Sequence, residues 1–170
     1  KDGRLEYTAN NSVGYTILGV HVALSVRWEF EAAPGSGDTE LAVFRGRRSS
    51  IEVRKGKEEG FRPEVYVIPA RIEDKDRVLA AVKKRVQALQ ERRLPLLVAV
   101  GPGSRIRIAI ADTLRQDHEA HFAILVEKFL EYVKDPASIP AWERPNMLSK
   151  YHVTTRAEDM ARKNPSGERT

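Results

Sequence analysis

Residues 20–31 read VHVALSVRWEFE, and in this stretch large apolar side chains alternate with small or polar ones. Successive side chains of a β-strand point to opposite faces of a sheet, so the pattern predicts one strand with an apolar face and a charged face. Typical strands have about five or six residues, and this one would have twelve. The sequence therefore predicts a broad antiparallel sheet with this strand as its spine. Such a sheet is a platform for a substrate, a partner domain or a second copy.

Further strand patterns lie on both sides of this stretch. Residues 10–12 are turn-like, and residues 33–38 are rich in glycine and proline and predict a loop. Gly46 and residues 101–104 mark turns between neighbouring strands. Strands are predicted at residues 5–9, 13–18, 41–45, 50–54, 65–68, 96–100 and 105–111.

The hydrophobic period changes from two to that of a helix after Pro69. Apolar residues recur at helical spacing from Val78 to Leu89, a second helix is predicted at about 117–134, and a shorter helical segment at about 142–150. Strands and helices do not alternate as in a doubly wound fold. We therefore expect an α+β fold, an open, mainly antiparallel β-sheet with helices packed on one face. Residues 1–163 would form a single domain, and residues 164–170 a loose tail.

Composition excludes several classes of protein. The chain has 170 residues, 41% hydrophobic and 31% charged, which is ordinary for a globular domain and not for a disordered chain. No apolar run approaches the roughly 20 residues that span a bilayer, so no membrane partner is expected. The absence of cysteine excludes disulfides and thiolate metal sites. Because the chain begins with Lys1 rather than methionine, we expect it to be part of a longer protein.

The net charge of +5 includes one basic cluster, which the predicted hairpin at 41–54 and the residues just after it would carry. Two interpretations remain open. The cluster could bind phosphates or an acidic partner, or it could be a solvated edge on which cations discourage aggregation. Its members are Arg45, Arg47, Arg48, Arg54, Lys55 and Lys57, with Glu52 among them.

Motifs of catalysis and cofactor binding are mostly missing. Residues 118–121 read HEAH, but the zinc-protease motif requires His-Glu-x-x-His, and position 122 is Phe. No phosphate-binding glycine loop and no Gly-x-Ser-x-Gly motif occur. We therefore predict no metal site and no cofactor site in this chain. Residues 142–151 mix aromatic, basic and acidic side chains, which is compatible either with a pocket lining or with a segment packed over the core.

Motifs spread over most of the chain resemble the C-terminal domain of Gfo/Idh/MocA-type oxidoreductases, the glucose–fructose oxidoreductase and inositol dehydrogenase family. The resemblance is closest to a subgroup known as the putative oxidoreductase C-terminal domain. Glu40 and Lys55 depart from the pattern, where His and Gln are expected. The matching segments are 10–15, 19–22, 35–39, 45–46, Arg54, 118–122, Pro140, 142–143, 145–148, 150–151 and 153–155.

The resemblance implies an NAD- or NADP-dependent oxidoreductase acting on a sugar or polyol. Its cofactor and catalytic lysine would belong to an N-terminal Rossmann domain that this chain does not contain. This chain would then be inactive alone, and it would pair with its own Rossmann domain and form a homo-oligomer through the sheet. The expected compartment is the cytoplasm.

Two groups of residues follow from these expectations. His118, His121 and Lys150 are the candidates for substrate contact, because histidine can relay protons near neutral pH and lysine can hold a hydroxyl or carboxylate. His21, Ser25, Arg27 and Glu29 are the candidates for the interface between copies. The alternative is a stand-alone binding module whose polar sheet face or basic hairpin engages an anionic partner; nucleic acid is not the expected partner.

Overall fold

The computed structural model describes residues 3, 10–28, 31, 34–92, 94–116 and 118–163. These residues divide into two compact units, one built from 1–31 and 123–170 and the other from 32–122. The strands and α-helices, in chain order, are β1 (Asn11–Ile17), β2 (Val20–Val26), β3 (Glu40–Arg45), β4 (Ser49–Lys55), β5 (Glu64–Pro69), α1 (Lys75–Gln90), β6 (Leu96–Val100), β7 (Ile106–Ile110), α2 (His118–Lys134) and α3 (Glu143–Lys163).

The unit 32–122 contains an open five-stranded sheet in the order β3-β4-β5-β7-β6, with every neighbouring pair antiparallel. This arrangement confirms the predicted fold class. The predicted strands of this sheet are all present and differ from the observed bounds by at most one residue at each end. The prediction of a single domain over 1–163 stays a prediction, and residues 164–170 lie outside the described residues.

One face of this sheet packs against α1. Ile106 is fully buried, and Val67 and Val78 form the centre of the core with it. Leu79 and Val82 of α1 pack against this centre from the helix side. The helical spacing read from the sequence therefore identified the face of α1 that meets the sheet.

The strand predicted at 20–31 is wrong in its length and in its place as the spine of the broad sheet. β2 ends at Val26, and among the described residues it pairs with β1 alone. Pairing stops at Asn11 opposite Val26, and beyond it the Trp28 amide donates to Asn10 Oδ1 at 2.7 Å. A side-chain oxygen, not a strand carbonyl, therefore accepts from this amide. The alternation indicated which side chains of β2 share a face, but it did not indicate how many strands pair with β2.

The turn predicted at 10–12 is also wrong, since Asn11 and Ser12 belong to β1. The turn of the hairpin lies instead at Leu18 and Gly19, which both have positive φ, 49° and 77°. This pair of left-handed residues is typical of a two-residue hairpin turn.

α2 confirms the predicted second helix, with Asp117 outside the described residues. α3 extends to Lys163 and is longer than the predicted segment 142–150. Its one proline, Pro145, lies in the first turn, where a missing amide hydrogen costs nothing, and no glycine or proline follows within the helix. Within the described part of the chain, no helix is long and apolar enough to cross a membrane.

Candidate functional site

The face of the five-stranded sheet opposite α1 carries a row of charged and aromatic side chains. The strand register places Glu52 beside Tyr66, and Tyr66 beside Arg107. Apolar residues such as Val65, Val67 and Ile106 take the alternate positions, so the polar residues all point away from the helix. The sequence alternation in β5 and β7 therefore creates a polar surface on a well-packed sheet.

A buried carboxylate lies at the centre of this surface. Glu64 is only 6% exposed. Arg107 binds it through two nitrogens, Nε at 3.1 Å from Oε2 and Nη2 at 2.9 Å from Oε1. Arg115 donates from Nη2 to Glu64 Oε1 at 2.6 Å and from Nη1 to the Pro63 carbonyl at 2.8 Å. A buried carboxylate requires this compensation, because an unpaired one would be strongly destabilising. The hydrogen bond to Glu64 in turn raises the pKa of Arg107.

An open cavity of about 380 Å³ adjoins this ion pair. The short 3-10 helix Asp112–Leu114 follows β7 and supplies Asp112 to the wall. Arg62 Nη2 donates to Asp112 Oδ1 at 2.5 Å, and Arg115 Nε lies 3.7 Å from the same oxygen. The apolar part of the wall comes from Pro95, Leu97, Ala109, Ile110 and Ala111. A cavity of this size and mixed lining is large enough for a small metabolite.

Tyr66 lies half-buried beside the same network. Its hydroxyl is 3.4 Å from Glu59 Oε1, and the guanidinium carbon of Arg105 lies 5.2 Å from the centre of its ring. Burial, and next the negative charge of Glu59, raise the pKa of Tyr66 above its usual value of 10.0. The phenol is therefore a hydrogen-bond donor at neutral pH.

The basic hairpin is partly neutralised within the sheet. Arg54 Nη2 lies 2.6 Å from Glu52 Oε2, and the hydrogen bond to Glu52 raises the pKa of Arg54. Arg45, Arg47 and Arg48 are exposed. Fewer positive charges are thus available to an anionic partner than the six basic residues counted in the sequence.

The three predicted substrate contacts lie on exposed helix surfaces. His118 and His121 occupy the first turn of α2, and the His118 ring stacks on Phe122 with 6.2 Å between ring centres. Lys150 is on α3, with Nζ 5.6 Å from the centre of the Tyr151 ring. The histidines belong to the unit 32–122 and Lys150 to the other unit, so their role at a common site stays a prediction. Across the residues that the structure describes, no three His, Cys, Asp or Glu side chains form a group that could hold a metal ion.

The predicted interface residues lie at the polar face of the β1–β2 hairpin and just beyond it. His21 Nδ1 is 2.8 Å from Thr16 Oγ1, and Ser25 Oγ is 2.9 Å from Ser12 Oγ. Arg27 follows the end of β2, and Glu29 lies outside the described residues. These cross-strand contacts order the hairpin, and a role between copies stays a prediction.

Residues 1–162 match the protein family described as "putative oxidoreductase C terminal domain". The chain belongs to this family. The match extends over both units of the structure, so the family assignment applies to nearly all of the chain.

A crystal structure described as "a putative oxidoreductase from Parabacteroides merdae ATCC 43184" is similar to this member of the oxidoreductase C-terminal domain family. The TM-score is 0.82 at 32% sequence identity, over 91% of this chain and 35% of that one. The chain thus spans about a third of the length of this relative. No curated protein sequence matches the chain.

The charged cavity of this oxidoreductase C-terminal domain was missed by motif analysis. Its residues match none of the catalytic motifs sought in the sequence, and they come from separate segments of the chain. A signal was nevertheless present, because Arg107 interrupts the otherwise apolar strand β7 and Glu64 is the charged residue at which β5 begins. A charged residue within such a strand predicts either a solvated face or an ion pair, and the structure shows the ion pair.

Proposed function

We propose that this chain is the C-terminal substrate-site and oligomerisation domain of a Gfo/Idh/MocA-type oxidoreductase acting on a sugar or polyol. The observation that carries this proposal is the family match over residues 1–162. The open cavity beside Glu64 supports the substrate-binding part, because it joins hydrogen-bond donors to an apolar wall. The proposed compartment is the cytoplasm.

The proposed cofactor is NAD or NADP, bound by an N-terminal Rossmann domain outside this chain. The residues of the chain itself do not fit a dinucleotide. A Rossmann site needs a glycine-rich turn between a parallel strand and a helix, whereas β5 is antiparallel to its neighbours and residues 70–74 before α1 read ARIED, without glycine. Hydride transfer is therefore assigned to the whole protein and not to this chain.

Within that protein, His118, His121 and Lys150 would hold the substrate and relay protons. All three side chains are exposed and therefore accessible to a ligand or a neighbouring domain, which supports this role. Copies of the protein would meet through the two-stranded sheet of β1 and β2, with His21, Ser25, Arg27 and Glu29 between them.

The alternative, a stand-alone module that binds an anionic partner through the basic hairpin, has less support. The pairing of Arg54 with Glu52 removes one of its six cations from the available charge. A surface of the remaining charges would bind weakly and with a strong dependence on salt.

The test starts with the mass of the native polypeptide, detected by an antibody against this chain. We expect a band well above 19.2 kDa. The protein of that mass should oxidise a member of a panel of sugars and polyols with NAD or NADP, while the 170-residue chain should not. A band at the mass of this chain, with no cofactor-dependent oxidation, would contradict the proposal.

A further inference from the structure

The cavity beside β7 presents more hydrogen-bond donors than the described acceptors use. A guanidinium carries five N–H donors in a planar fork. Arg62 uses Nη2 for Asp112, and Arg107 uses Nε and Nη2 for Glu64. Within the described residues, Nη1 of Arg107 and both Nε and Nη1 of Arg62 donate to no protein acceptor. Both arginines line the cavity, and their side chains are accessible, at 54% exposure for Arg62 and 45% for Arg107.

The charges around the cavity do not cancel. Three arginines, Arg62, Arg107 and Arg115, face two carboxylates, Glu64 and Asp112, which leaves one positive charge in excess. A ligand with a single negative charge would neutralise the cavity, whereas a phosphate dianion would leave it negative. A carboxylate also matches the planar fork of arginine, which binds it through two parallel hydrogen bonds.

Asp112 differs from Glu64 in how firmly it is held. Its side chain is 82% exposed, compared with 7% for the side chain of Glu64. Asp112 accepts one hydrogen bond from Arg62 and lies at ion-pair distance from Arg115. An exposed ion pair of this kind contributes about 1 kcal/mol or less. The carboxylate of Asp112 therefore occupies a position that a ligand carboxylate could take at small cost.

We propose that the cavity binds the carboxylate of a small hydroxy acid, with Arg62 and Arg107 donating to it and Asp112 giving up its contact with Arg62. The apolar wall of Pro95, Leu97 and Ala109 contacts the carbon skeleton. The inference rests on the proposed function in one respect, because it specifies that the sugar or polyol substrate is an acid. Binding itself is independent of catalysis.

The test is isothermal titration calorimetry of the full protein with D-gluconate, compared with the neutral polyol D-sorbitol of the same chain length. We expect gluconate to bind and sorbitol to bind at least tenfold more weakly. Gluconate binding should weaken several-fold when salt is raised to about 0.15 M, where charges are screened over about 8 Å. Equal binding of the two compounds, or no binding of gluconate, would overturn the inference.

Arg62→Gln is the informative variant, because Arg62 does not contact the buried Glu64, and its loss should leave the fold intact. We expect gluconate binding to weaken about tenfold, the value of one charge-assisted hydrogen bond. Asp112→Asn should tighten binding several-fold, since it removes the competing carboxylate. Arg85→Gln, on the exposed side of α1, is the matched control and should bind as the wild type does.

These outcomes separate the inference from the proposed function. Turnover of neutral sugars without gluconate binding would leave the proposed function standing and overturn the inference. Gluconate binding that weakens in Arg62→Gln, in a protein that oxidises nothing, would support the inference and contradict the proposed function. Unchanged gluconate affinity in Arg62→Gln would overturn the inference in either case.

Discussion

Glu64 and Arg115 are 51 residues apart in sequence, yet Arg115 Nη2 donates to Glu64 Oε1 at 2.6 Å. The bond joins the start of β5 to the segment that follows β7. Both side chains are largely shielded, with 7% and 16% exposure. The pair therefore holds the segment after β7 against the start of β5, and both residues line the charged cavity.

Replacing Arg115 with methionine should destabilise the unit 32–122. Breaking a buried ion pair costs about 3–5 kcal/mol. Since Arg107 still binds Glu64, we expect a loss of about 2 kcal/mol in the free energy of unfolding, below that range. Urea denaturation measures it, with Arg85→Met as the control for loss of an exposed arginine. A change of less than about 0.5 kcal/mol, as at ordinary surface positions, would show that the pair does not stabilise the sheet.

The stability of the protein should fall in alkaline solution because of Tyr66. Its pKa is raised in the folded state by burial and by Glu59, above 10.0. Between the unfolded and the folded pKa the native state binds more protons than the unfolded state, so stability decreases as the pH rises. The contribution is fully present below about pH 10 and is lost as pH rises through the folded pKa.

The absorbance of tyrosinate near 295 nm tests this directly. The difference between the titration of the wild type and that of Tyr66→Phe isolates the phenol of Tyr66. We expect a midpoint above 10.0, and a smaller loss of unfolding free energy with pH in the variant. A midpoint at or below that value would contradict the burial of this hydroxyl.

The helix α1 could be predicted from the sequence because periodicity is a local property. Val78 and Val82 recur at helical spacing, and both face the core. The position of the strand at 20–31 could not be predicted in the same way. Alternation tells which side chains share a face, but pairing depends on segments elsewhere, and here β2 has β1 as its partner. The cavity was missed for the same reason, since Arg62, Arg107 and Arg115 meet only through the order of the strands.

The predicted interface can be tested with a charge at its centre. Ser25 contacts Ser12 across the hairpin, and Ser25→Glu would place a carboxylate on that face. If the face lies between two copies, burying the unpaired charge should shift the protein towards the monomer in sedimentation velocity. Ala80→Glu, at an exposed position of α1, is the control. A wild type that stays monomeric at high concentration, or an oligomer unaffected by Ser25→Glu, would exclude this interface.

The substrate contacts predicted on α2 and α3 are tested by turnover of the full-length enzyme. His118→Asn and His121→Asn remove proton transfer while keeping a polar side chain, and both residues are exposed, so the fold should be retained. General acid–base catalysis contributes about 10²–10⁴-fold, and we expect a loss of kcat in that range for whichever histidine relays the proton. Lys150→Gln should raise KM if Lys150 holds the substrate.

A matched variant is available on the same helix as the histidines. Glu127→Gln changes one exposed polar residue of α2 well after the first turn, and its kinetics should equal those of the wild type. Unchanged kcat and KM in all three test variants would remove these residues from the site.

Leu18 holds a backbone conformation that its side chain disfavours. Its φ is 49° at the tip of the hairpin, and the residue is 99% exposed, so no described contact offsets the strain. A left-handed conformation costs a residue with a Cβ roughly 1–2 kcal/mol, and asparagine tolerates it better than leucine. Leu18→Asn would create Asn-Gly, a preferred pair for this turn. We expect amide hydrogen exchange in β1 and β2 to slow by about fivefold, which corresponds to about 1 kcal/mol. Leu18→Ala removes the same apolar surface without favouring the turn, and it should show no slowing. Faster exchange in both variants would instead mean that the leucine side chain stabilises the hairpin through a contact of its own.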